Sequence, residues 1–212
     1  MTREEEELAF FHELGLAICN WSSVEVGIYQ VMTALDDTKK DDAMGFGFFA
    51  VDNFRAKLAF ANAFLNIKLP ADSGHRKTWN GLVTRLEKSV RNRNRLAHDR
   101  IIVYLFGEPG RRYALERWPD PTPRKSKAWP ATTPRDGALC LRDVVSCKSD
   151  FYYLVLELKN FDAALRGRKE PHPEVHAREA RPPTIQAIKR QMHEALGHPL
   201  APSRRKSSSH QP

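Results

Sequence analysis

The segment WNGLVTRLEKSVRNRNRLAHDRIIVYLF, Trp79–Phe106, changes period in its middle, and that change decides the fold. Trp79, Leu82/Val83, Leu86 and Val90 return every three to four residues, the spacing of one face of a helix. After Asp99 the β-branched and aromatic run IIVYLF, the turn GEPG and the second run RYALERW predict a β-hairpin. At the junction lies RNRNRLAHDR, Arg91–Arg100, with four arginines, two asparagines and one histidine in ten residues.

Working outward from this segment, the remaining periodicity is helical. Thr2 and Glu5 fit a capping box. From there Phe10, Leu14, Ala17/Ile18, Trp21, Val24, Ile28, Val31/Met32 and Leu35 form one long stripe. DDTKKDDAMGFG reads as a loop, and a second helix is expected over roughly Phe48 to Ile67. The third starts near His75. PDPTPRKSKAWPATTPRDG, with five prolines, is expected to be irregular, and ALCLRDVV adds a possible third strand. A last helix is expected from about Lys148 to Leu165, on Phe151, Leu154/Val155, Leu158 and Phe161. The fold class expected is mainly α, an antiparallel helical bundle over 1–167. It carries a small β-hairpin insertion at about 100–145 and a flexible basic tail, 168–212, containing a short helix at 184–197.

Composition narrows the function classes. The chain of 212 residues carries a formal net charge of +8. From Arg166 onward ten Lys/Arg stand against four Glu, so six of those charges belong to the tail. Such a balance suits a polyanionic partner. No apolar run approaches the ~20 residues of a membrane span, and MTREEEELAF has acids where a signal peptide needs cations. A cytoplasmic protein with no membrane partner is therefore expected. Cys19, Cys140 and Cys147 are widely spaced, and the tail residues His172, His176, His193 and His198 lack metal-ligand spacing. No metal and no cofactor are expected. Asp36-Asp37 and Asp41-Asp42 read as a solvated loop.

Within the junction, Leu86, Val90, Arg93 and Ala97 step by four, three and four, which sets Arg93 on the apolar stripe. A guanidinium there needs a counter-charge or a wet cleft, because it does not give up its proton. Arg91, Asn94 and His98 share another face, and a loosening of the helix around Leu96 would let His98 approach Arg93. Glu25, at the edge of the first stripe, is either a partner for Arg93 or a plain surface glutamate. Phe48/Phe49, Phe54, Phe60 and Phe64 read as core or interface rather than a base-stacking platform.

Arg93-Asn94-Arg95-Leu96-Ala97-His98 resembles the signature of HEPN domains: an arginine, a polar residue, then a histidine four to six positions after the arginine. The resemblance covers roughly residues 5–105, with the 148–166 helix as a further element. A second frame beginning at Arg91-Asn92 also fits. The Arg93 frame is preferred, because RNxLAH is the commoner form and Arg93 breaks the apolar stripe. The resemblance implies a metal-independent endoribonuclease working as a homodimer on RNA. Arg93, Asn94 and His98 would be catalytic, Arg91, Arg95 and Arg100 substrate-binding, and Glu25 supporting. It also implies a toxin or phage-defence effector, held by a neutralising antitoxin or another protein partner. The competing expectation is a non-catalytic HEPN-like dimerisation or RNA-binding scaffold. In that case the motif only braces the bundle; a plainer reading has His98 and its neighbouring arginines serve the helix C-terminus, where a cation is favoured by ~0.3–1 kcal/mol. A weaker expectation has the 182–197 helix dock onto a protein.

Overall fold

A computed structural model describes residues 1–36, 43–117, 133–134 and 136–167. The basic tail with its expected helix, and most of the proline-rich segment, lie outside these residues. The described chain is mainly helical, with one small antiparallel sheet.

The first helix, α1, spans Arg3–Thr33 and starts as expected. The Thr2 hydroxyl accepts from Glu5 N at 3.1 Å, and Thr2 N donates to the Glu5 carboxylate at 2.8 Å. Its stripe from Phe10 through Met32 is buried apart from Ile18, which is exposed. The next segment forms two helices where one was expected: α2, Ala43–Ala50, and α3, Phe54–Lys68. The break falls at Asn53, whose side chain accepts from Arg55 N at 2.8 Å. An amide oxygen satisfying a first-turn donor starts a new helix there. Phe48 and Phe54 are buried, while Phe49 and Phe60 stay exposed.

The fourth helix, α4, covers Gly74–His98, so the junction motif is helical to its last residue. No loosening occurs at Leu96, which is buried, whereas Ala97 is exposed. Strands β1, Arg100–Val103, and β2, Tyr113–Glu116, form the expected hairpin, with Arg100 opposite Glu116 and Val103 opposite Tyr113. Gly110, at φ 87°, supplies the left-handed residue in their connection. The third strand, β3, is only Leu139–Cys140. The fifth helix, α5, spans Leu141–Leu165, so the residues read as a strand in LRDVV are helical. Asp143 makes that earlier start possible, because its carboxylate accepts from Cys140 N at 2.9 Å.

The expected antiparallel arrangement holds for only part of the bundle. Trp79 on α4 stacks against Phe161 on α5, and Arg85 Nε lies 3.0 Å from Glu157, so these two helices are antiparallel. By contrast α1 and α5 run in the same direction. Asn20 donates to Lys148 O at 3.1 Å, Gly27 abuts Leu158, and Arg166 donates to Thr33 Oγ1 at 3.0 Å. The sheet causes this. Arg112 N donates to Glu6 at 2.7 Å and the Tyr113 hydroxyl to Glu7 at 2.7 Å, which returns the chain to the start of α1. From there α5 can only descend alongside it. No helix among the described residues is long and apolar enough to cross a membrane.

Gly27 sets the α1–α5 approach. A Cβ at this position would meet Leu158 Cβ and Cδ1 at 3.2 Å. Gly27→Val is expected to destabilise the protein by about 1–3 kcal/mol through overpacking. A lower urea midpoint with an unchanged slope would register it.

Candidate active site

The C-terminal turns of α4 and the first turn of α3 face one another across an open cleft of about 460 Å³. Val90, Arg93, Asn94 and His98 line one wall; Asp52, Asn53, Phe54 and Arg55 line the other. Positions 90, 94 and 98 step by four, and 93 lies beside them, so a regular helix presents all four residues. Arg93 and His98 therefore share the cleft without any distortion of α4.

The three residues differ in how they are held. Arg93 is half-buried, and its Nη1 donates to the Asn94 side-chain oxygen at 3.2 Å. That neutral acceptor orients the guanidinium and leaves its charge uncompensated. Asn94 thus braces Arg93. His98 is exposed and makes no hydrogen bond among the described residues.

The flanking arginines part company with the cleft. Arg95 is clamped to Asp99, Nε to Oδ2 at 2.9 Å, across the end of α4. It serves the helix terminus, as the dipole reading expects for part of the cluster. Arg100 lies on β1, opposite Glu116, and Arg91 is exposed; neither lines the cleft. In their place the first turn of α3 contributes Arg55, which no motif in the sequence marks. The helix N-terminus beside it carries about half a positive charge. Two guanidinium groups against the one carboxylate of Asp52 leave the cleft positive.

Glu25 does not reach Arg93. It accepts from the Trp21 indole at 3.1 Å and from Lys57 Nζ at 2.7 Å. Lys57 was missed because its position is amphipathic by spacing. It is buried on α3, where its ammonium also lies 5.7 Å from the centroids of Phe48 and Phe49. This ion pair, with Trp21 packed on Phe54 at 4.6 Å, fixes the start of α3 against α1.

Other chemistry finds less support. Burial pushes the Cys147 thiol up to about 11, and burial likewise raises Cys140, so neither is an activated nucleophile. No group of three His, Cys, Asp or Glu among the described residues converges as metal ligands do. Compared with protein-family models, curated proteins and solved structures, the chain matches none.

The pairing pattern separates stability from the cleft. Glu25→Ala leaves Lys57 buried without a counter-ion and is expected to cost about 3 kcal/mol. Arg93→Ala removes an unpaired cation and should stay within about 0.5 kcal/mol of wild type. Urea denaturation of the two variants side by side checks the contrast.

Proposed function

We propose that the protein is a metal-independent endoribonuclease of the HEPN kind, acting in the cytoplasm on single-stranded RNA. One observation carries the reading: Arg93 enters the cleft with no acid paired to it, beside an imidazole that is equally free. Three other partly buried cations, Lys57, Arg95 and Lys148, have carboxylate partners. An uncompensated guanidinium in a positive cleft is suited to a phosphodiester.

In the proposed reaction the Arg93 and Arg55 guanidinium groups donate to the non-bridging phosphate oxygens. The His98 ring takes the proton of the ribose 2′-hydroxyl. The 2′-oxygen then bonds to phosphorus and the P–O5′ bond breaks. The products are a 2′,3′-cyclic phosphate and a 5′-hydroxyl. A second imidazole must protonate the leaving oxygen, and a homodimer supplies it as the other copy's His98. Arg93 offsets the charge that builds on the phosphoryl oxygens in the transition state. Such an enzyme fits a toxin or phage-defence effector kept in check by a neutralising partner.

A non-catalytic RNA-binding scaffold is the second reading. It is favoured by the His98 ring, which nothing within one described chain orients.

Incubation with RNA in EDTA decides between them. Wild type is expected to cleave single-stranded RNA to cyclic-phosphate ends and to leave DNA intact. His98→Ala should lose roughly 100-fold or more in rate, and the Arg93→Ala/His98→Ala double variant should be inactive. Equal RNA binding with no cleavage by wild type or variant supports the scaffold instead.

A further inference from the structure

The phosphate cleft does not end at Arg55. A second depression of about 360 Å³ continues between α3 and α4, and Arg55 and Val90 line both spaces. Its floor is apolar at Leu58 and Val83, and its polar groups beyond Arg55 are Asn62 and Glu87.

These two side chains present opposite hydrogen-bonding faces. The Asn62 side-chain oxygen accepts from the Trp79 indole at 3.0 Å. An indole only donates, which fixes the amide's orientation and leaves its NH₂ as the end with donors to spare. Trp79 is fully buried, so this anchor does not move. Glu87, one helical turn before the cleft residue Val90 and Arg91, makes no ion pair or hydrogen bond among the described residues. Its carboxylate offers acceptors only.

The geometry points to a nucleobase subsite selective for guanine, adjoining the scissile phosphate; it rests on the ribonuclease reading above. On its Watson–Crick edge guanine alone carries two neighbouring donors, N1–H and N2–H₂, followed by the acceptor O6. A carboxylate can accept both donors together, and the Asn62 amide can donate to O6. Adenine and cytosine each set an acceptor beside their single donor group, and the carboxylate repels it. Uracil's N3–H is flanked by two carbonyl oxygens. Leu58 and Val83 take the apolar face of the ring. Because that edge must be unpaired, the substrate is single-stranded, as base-specific RNA recognition usually requires.

The test uses the full chain carrying His98→Ala, so that RNA is not consumed. Two fluorescent pentaribonucleotides, differing only in a central guanine or adenine, are titrated by polarisation. The guanine oligomer is expected to bind about tenfold tighter, the discrimination of one good bidentate contact. Adding Glu87→Gln at this exposed position replaces one acceptor by a donor and should bring the two affinities together. Equal affinities with Glu87 intact, or no binding of either oligomer, overturn the subsite. Sequencing of cut ends from a random RNA pool with wild type keeps the two proposals apart. Cleavage without guanine enrichment beside the cut removes the subsite and leaves the ribonuclease. Guanine-selective binding without cleavage removes the ribonuclease and leaves the subsite.

Discussion

The cleft exists because Lys57 is tied to Glu25. Both side chains are largely out of water, and their 2.7 Å contact sets the start of α3 against the middle of α1. The Trp21 indole donates to the same carboxylate and its ring packs on Phe54, so one tryptophan secures both the acid and the helix it holds. A buried pair of this kind is weak evidence for net stability, since desolvation offsets most of its attraction. Its value here is positional. It holds the first turn of α3, with Asn53 and Arg55, opposite the last turns of α4.

A second regularity follows from where the acids lie. Glu13 meets Lys148, Glu6 meets Arg112, Glu157 meets Arg85 and Asp99 meets Arg95. The first three of these contacts join α1, the hairpin, α4 and α5, so those acids hold elements together. Arg93 and Arg55 are left over on facing walls of one cleft. Two cations thus face one another where two helix ends converge, which makes the potential between them positive.

The legible parts of the fold were those with local causes. The capping box at Thr2, the stripe of α1 and the switch from helix to hairpin after Asp99 all depend on neighbours within a few residues, and the residues state them directly. The errors arose where a distant partner or a cap intervened. Asn53 split one expected helix into two, and Asp143 began α5 seven residues ahead of the expected Lys148. The parallel course of α1 and α5 depends on Arg112 and Tyr113 reaching back to Glu6 and Glu7, which no spacing rule reveals. At the cleft, Arg93, Asn94 and His98 were readable because one helix carries them. Arg55, Asp52 and Lys57 were not, because their relevance comes only from packing across to another helix.

The parallel pairing of the first and last helices also shapes how the chain is made. Asn20 and Lys148, which meet across it, stand 128 residues apart. Loop closure over such a span is paid late in folding, and contacts of this kind slow it. During synthesis α1 emerges first with its apolar stripe uncovered, and it waits there until α5 has left the ribosome. The bundle is therefore completed only once α5 is available to cover α1.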